Sequence, residues 1–231
     1  MEQPKGYQEG PSNKNIVCKL NKTLYGTKQA PNEWNDEINS YILSMGFRRC
    51  ITDTCLYTHK SQSNNLIIIG LFVDDILIAY NKCDEIEYEH IKRKFFIKYK
   101  MKDLDNAKWL LGMEIRRDRT NKLLYLNQEQ YIKKILKKFN MNQSKAVSTP
   151  AEQTKLTIQD CPTTHQEKQE MINKPYRQVV GSLLYASIST RPDISYAVNT
   201  LSRFNNNPGN THWIAAKRVL RYLKGTSKDG L

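Results

Sequence analysis

No stretch of this chain approaches the roughly 18 apolar residues that a membrane-spanning helix needs. The apolar run Leu66–Val73 is far too short. The opening Met1-Glu2-Gln3-Pro4-Lys5-Gly6 lacks the apolar core of a secretory signal, so a non-secreted protein is expected. Cysteine patterning is missing too. Cys18, Cys50, Cys55, Cys83 and Cys161 make no C-x-x-C pair, and His59, His90, His165 and His212 stand far apart. Neither a zinc site nor a disulfide framework follows from such spacing. No internal repeat or heptad run is visible. A surplus of acid is also absent: 36 Lys and Arg face 23 Asp and Glu, for a net charge of +13. That balance favours polyanionic partners, nucleic acid first and acidic membrane surfaces second. Charge alone does not decide, because Lys133, Lys134, Lys137 and Lys138 also suit the solvated face of a helix.

What is present is enough chain, 231 residues, for one large domain or two small ones. Asn15–Asn21 reads as a short strand, and Gly26 and Ala30-Pro31 punctuate a loop. A helix then starts near Asn32 with Trp34, Ile38, Tyr41, Ile42 and Met45 on one face, and Gly46 stops it. Cys55–His59 reads as a strand and Ser61–Asn65 as a turn. Asp84 with Glu87 forms an expected capping box for a helix that buries Ile91, Phe95 and Tyr99. Trp109–Arg116 and Lys122–Leu126 read as two strands around Asn121. Asn127 with Gln130 caps a helix striped by Tyr131, Ile132, Ile135, Leu136 and Phe139. Asn142–Lys174 lacks periodicity and is expected to be a mostly irregular linker. Tyr176–Ser189, Asp193–Phe204 (opened by a Thr190–Asp193 capping box) and Thr211–Lys224 read as closing helices. Strands mixed with helices first, then helices alone, argue an α+β class.

The most informative segment is Leu66–Tyr80. Eight apolar residues run into Asp74-Asp75, and Ile76-Leu77-Ile78-Ala79-Tyr80 follow. Both flanks are too short for helices and rich in β-branched residues, so two strands joined by a tight turn are expected. Apolar on both faces, this hairpin is expected deep in a domain. Ionised carboxylates near such an interior are costly unless paired or metal-bound. Two adjacent acids on a rigid hairpin therefore point to a divalent cation, and oxygen-only ligands suit Mg²⁺. The plainer reading is an exposed acidic turn tip.

Phe72-Val73-Asp74-Asp75 resembles the aromatic-Val-Asp-Asp motif of reverse transcriptases. The surrounding motifs resemble copia-type LTR retrotransposon polymerases, in family order. Met1-Glu2-Gln3-Pro4-Lys5-Gly6-Tyr7 and Leu24-Tyr25-Gly26-Thr27-Lys28-Gln29-Ala30-Pro31 with Trp34 come first. Gly46-Phe47, Asp53, Leu56-Tyr57, Met101-Lys102-Asp103-Leu104, Leu111-Gly112-Met113-Glu114-Ile115 and Ser148-Thr149-Pro150 follow. Thr190-Arg191-Pro192-Asp193-Ile194, Leu201-Ser202-Arg203-Phe204 and the stretch from His212-Trp213 to Gly225-Thr226 complete the pattern.

The resemblance implies an α+β reverse-transcriptase palm, an antiparallel sheet with helices on one face, followed by a helical thumb and connection. It divides the chain into partial fingers and palm (residues 1–126), a first thumb helix (127–141), a linker (142–174) and thumb-to-connection helices (175–231) leading toward ribonuclease H. The implied activity is RNA-directed DNA synthesis with two Mg²⁺ or Mn²⁺. Template-primer and deoxynucleotide triphosphates are the implied partners, with no membrane. Other polyprotein segments, integrase and ribonuclease H, are implied neighbours. The implied location is a cytoplasmic virus-like particle or the nucleus. By resemblance, Asp74 and Asp75 are catalytic metal ligands. Lys102, with Lys100 as second choice, is the general acid for pyrophosphate. Lys28, Gln29 and Phe72 meet nucleotide and template, and Leu111, Gly112 and Met113 form the primer grip.

Some features depart from the family pattern. Its third carboxylate lies on a strand before the Met-x-Gln-Pro segment, and Glu2 and Glu9 fall in the wrong part of the pattern. The expectation is a chain that is weak or inactive alone, or a nucleic-acid-binding remnant without chemistry. Thr27 replaces an apolar residue, Asn32 an arginine, and Asp105 a glycine.

Overall fold

The computed structural model describes residues 1–10, 16–152 and 155–231. The chain divides into two compact units, Met1–Asp103 and Leu104–Leu231. The class is α+β, with antiparallel sheets and, among the described residues, seven α-helices.

In the first unit, α1 (Ala30–Ser44) carries Pro31 in its first turn, where its fixed φ suits the helix. It stops before Gly46, which takes φ +90°. Ile38 and Ile42, one turn apart, are fully buried. Strands β1 (Arg48–Arg49), β2 (Leu56–Lys60), β3 (Leu66–Phe72) and β4 (Asp75–Ala79) pair in chain order as an antiparallel sheet. Alternation along β3 sends Ile67, Ile69 and Leu71 inward. Tyr57 lies opposite Ile69, and both are fully buried. From α2 (Glu85–Lys98), Ile91 and Phe95 join the same cluster. Each such aliphatic side chain contributes about 1.5–3 kcal/mol by leaving water.

Three expectations change here. The central hairpin is buried on one face only: Leu66 and Phe72 are exposed, and β4 is the sheet's edge. The Asp84–Glu87 capping box is absent. Asp84 is buried and accepts from Asn65 Nδ2 at 2.9 Å, while Glu87 accepts from the Gln62 N–H and meets His59 Nε2. Burial pushes the Asp84 carboxyl up, and bonds from Ser61 and Asn65 more than offset this, leaving its pKa below the usual range. Of the expected strand at residues 15–21, Asn15 lies outside the described residues. In the remainder Val17 makes an isolated bridge to Glu2.

In the second unit, β5 (Trp109–Leu110), β6 (Met113–Asp118) and β7 (Leu123–Asn127) form an antiparallel sheet. The expected single strand Trp109–Arg116 is therefore a hairpin, broken at Leu111-Gly112. Helices α3 (Glu129–Lys138), α4 (His165–Ile172), α5 (Tyr176–Ser189), α6 (Ser195–Ser202) and α7 (Asn210–Gly225) follow. Ile132, Val179, Leu183, Val198, Leu220 and Leu223 are fully buried in one core. The supposed linker contains α4, capped reciprocally by Thr164 and Glu167; Gln153 and Thr154 of it lie outside the described residues. Asn127 caps α3 through the Glu129 N–H rather than with Gln130, and its amide donates to the Lys228 carbonyl at 2.7 Å.

The expected Thr190–Asp193 capping box is also replaced. A 3-10 turn, Pro192–Ile194, precedes α6, and the Thr190 hydroxyl donates to Gln128 Oε1. Arg191, only 1% exposed, donates to both Asp193 oxygens and to the Thr226 carbonyl and hydroxyl. Tyr222 lies beneath its guanidinium and donates to Asp193 at 2.8 Å. A buried guanidinium needs such full pairing. The Arg191–Asp193 motif is thus a structural clasp on the C-terminus of α7.

The far edge of β7 is also used. Leu126 and Leu231 exchange both backbone hydrogen bonds, at 2.8 and 2.9 Å. A Cβ on Gly230 would fall 2.2 Å from the Leu126 carbonyl oxygen, so only glycine permits this approach. No helix among the described residues is long and apolar enough to cross a membrane.

Candidate active site

Phe72 pairs with Asp75, leaving Val73-Asp74 as a two-residue turn between β3 and β4. Val73 has φ +54°. Primed hairpin turns need that backbone, and glycine or asparagine usually supplies it. A β-branched residue there is strained by about 1–3 kcal/mol and must be held by its surroundings.

The holder is Trp34. Its indole N–H donates to the Val73 carbonyl at 2.8 Å. The Trp34 ring meets the edge of Tyr99, with centroids 5.5 Å apart, and Tyr99 in turn meets Tyr41 at 5.4 Å. Tyr99 donates to Glu37, which also pairs with Lys98 at 3.0 Å. The Lys98 ammonium holds the Glu37 carboxyl below its usual range, while burial and Glu37 push the Tyr99 hydroxyl up to about 12. Tyr99 therefore keeps its proton and Glu37 its charge near neutrality. The acidic turn is braced on α1 and on the end of α2.

Asp74 and Asp75 are both exposed, as are Lys28 and Gln29. Gln29 is the residue before α1, about 7.5 Å of helix rise from Trp34. Trp34 stands in the second turn of α1, so its bond to Val73 puts the N-terminal half of that helix, with the positive end of its dipole, toward the Asp-Asp turn. Phe72 is 51% exposed, so its ring is available to a ligand. Lys102 is exposed, three residues beyond Tyr99. Leu111, Gly112 and Met113 belong to the second unit and form the β5–β6 turn there.

Among the described residues, no group of three or more His, Cys, Asp or Glu side chains could hold a metal. Two adjacent carboxylates still fit one mode of binding. Mg²⁺ commonly uses one or two carboxylates, retained waters and substrate phosphates. The donor set suits an ion that arrives with a nucleotide, rather than one caged by protein. Sequence reading missed the bracing roles. It assigned Trp34 to a core stripe, and helical spacing holds no signal for a bond to a turn 39 residues away.

The family model described as reverse transcriptase (RNA-dependent DNA polymerase) matches residues 1–153. The chain belongs to the reverse transcriptase family. Its relatives bear out the copia-like retrotransposon resemblance. The Pol polyprotein from transposon TNT 1-94 of Nicotiana tabacum is 47% identical over 100% of this chain and 17% of its own length. That of transposon RE2 from Arabidopsis thaliana is 38% identical over 100% of this chain and 15% of its own length. The transposon Ty5-1 protein of Saccharomyces cerevisiae is 35% identical over 98% of this chain and 70% of its own. The chain therefore spans less than a fifth of the length of the two plant polyproteins it matches. No solved structure matches it.

Proposed function

We propose that this chain carries the nucleotidyl-transfer centre of a retrotransposon reverse transcriptase. The observation that carries this reading is the exposed Asp74-Asp75 pair on a braced turn at the N-terminal end of α1. The substrates are a template-primer and deoxynucleotide triphosphates. Bound Mg²⁺ would be held by Asp74 and Asp75 and would supply charge neutralisation at the reacting oxygens. The helix end and Lys28 offer positive potential to the triphosphate. Gln29 supplies an amide for nucleotide or template, and the exposed Phe72 ring a surface for packing. Lys102 is the proton donor to the leaving pyrophosphate. Residues 1–126 act as fingers and palm, residues 127–141 and 175–231 as thumb and connection, and residues 142–174 as the link. Lys133, Lys134, Lys137 and Lys138 contact phosphates without reading sequence. In this reading the chain works beside other polyprotein segments, in a cytoplasmic particle or the nucleus.

One observation favours a weaker activity. No third His, Cys, Asp or Glu joins Asp74 and Asp75 in a metal-holding group among the described residues, and two carboxylates clamp a metal pair less firmly than three. The second reading is a chain that holds nucleic acid without chemistry. Primer extension on a primed RNA template, with Mg²⁺ or Mn²⁺, separates them. Weak extension that falls about 100-fold or more in Asp74→Asn supports the catalytic reading. No extension, with salt-sensitive duplex binding retained by Asp74→Asn, selects the second. Extension that survives Asp74→Asn removes Asp74 from the site.

A further inference from the structure

The β5–β6 turn is closed by the Leu110–Met113 pair, and both of its central residues are left-handed. Leu111 has φ +50° and Gly112 φ +76°. This is the type I′ pattern, which Asn-Gly or Gly-Gly adopts with ease. A leucine at the first position is disfavoured by its Cβ, so a contact from outside the hairpin is needed to hold it. Tyr185 of α5 makes that contact: its hydroxyl donates to the Leu111 carbonyl. A Cβ on Gly112 would lie 3.6 Å from the same hydroxyl, so Tyr185 rests against both residues of the turn. The Tyr185 ring meets the edge of Tyr131 on α3, with centroids 4.9 Å apart. Tyr131 donates back to the Ser182 carbonyl of α5 at 3.0 Å. Two helices thus fix one hydroxyl over one turn. The turn is not core, for Leu111 is 38% exposed. A tip built against its own backbone preference, anchored from behind and open in front, is shaped for something that binds from outside.

We propose that Tyr185 is a positioning residue for the primer strand. It holds the Leu111-Gly112 backbone in the path that meets the sugar-phosphate of the primer's 3′ end. The inference rests on the reading of Leu111–Met113 as the primer-contacting turn. Tyr185 acts through that turn and not on the reacting atoms.

The test uses the full chain and two duplexes of equal length, one with a recessed 3′ end and one blunt. The readout is the ratio of their dissociation constants at fixed salt. The unmodified chain is expected to prefer the recessed end. Tyr185→Phe, which keeps the ring and removes the hydroxyl, is expected to cut that preference by about two- to tenfold. Amide exchange at Leu111–Met113 is expected to quicken in the same variant. Adding Leu111→Gly, which takes the left-handed backbone unaided, is expected to restore the preference. An unchanged preference in Tyr185→Phe overturns the proposal and leaves the primer-grip reading standing. No preference in the unmodified chain overturns that reading, and the proposal with it. Affinity lost equally for both duplexes, or loss that Leu111→Gly does not restore, makes Tyr185 a packing residue and overturns the proposal.

Discussion

Val73 in the first unit and Leu111 in the second both occupy left-handed backbone at the tip of a two-residue hairpin turn. An aromatic donor from a helix holds each carbonyl, Trp34 of α1 for one and Tyr185 of α5 for the other. The turns differ in what accompanies the strained residue. Gly112 relieves the second turn at its other central position. The first turn has Asp74 there and no glycine at all. The β3–β4 turn has Asp74 at that position and Asp75 directly after it, and the strain at Val73 is held by the Trp34 bond. Such strain is characteristic of sites whose geometry is used.

Three substitutions test how far this likeness extends. The largest effect is expected from Arg191→Ala. Its clasp stands directly after α5, the helix that carries Tyr185, and the change removes the four hydrogen bonds of a buried guanidinium. A loss of about 2–4 kcal/mol in the second unit is expected from chemical denaturation. Amide exchange should quicken at Leu111–Met113 and stay as before at Phe72–Asp75. Equal quickening at both turns would break the comparison. Next is Val73→Gly, which removes the Cβ from left-handed backbone. A gain of about 1 kcal/mol in the first unit is expected, the relief of strain less the entropy of glycine. Primer extension should fall at the same time, because the carboxylates are held less firmly. A drop in stability would show that Val73 packing, not backbone strain, governs the turn. Smallest is Trp34→Phe, which keeps an aromatic ring beside Tyr99 and loses the N–H. A cost of about 0.5–1.5 kcal/mol is expected, with faster exchange at Val73-Asp74. No change in exchange there would remove Trp34 as the brace.

Much of this was legible in the sequence. The spacings of Ile38 with Ile42, Ile91 with Phe95, and Ile132 with Ile135 and Leu136 gave three helices and their buried faces. The run Leu66–Tyr80 gave the hairpin and its acidic turn. Its second face was misjudged because apolar composition says how much can be buried, not how much is covered. Capping boxes failed where another partner took the carboxylate: Asp84 meets Asn65, and Asp193 meets its near neighbour Arg191 and the remote Tyr222. The split of Trp109–Arg116 was hidden for a similar reason. A leucine does not announce a turn, and the hydroxyl that allows one lies 74 residues away. The candidate site was legible in its carboxylates and illegible in its braces, since motifs mark chemistry and tertiary contacts hold it in place.

The pairing of Leu126 with Leu231 has a consequence in time. It joins β7 to an isolated bridge roughly a hundred residues later, so that edge of β7 cannot be covered while the intervening helices are still being made. At the ribosome's pace of about 5–20 residues per second, β7 waits some 5–20 seconds for its last partner. During that interval its far edge is open to any other extended chain, and neighbouring copies on one message would be the nearest candidates.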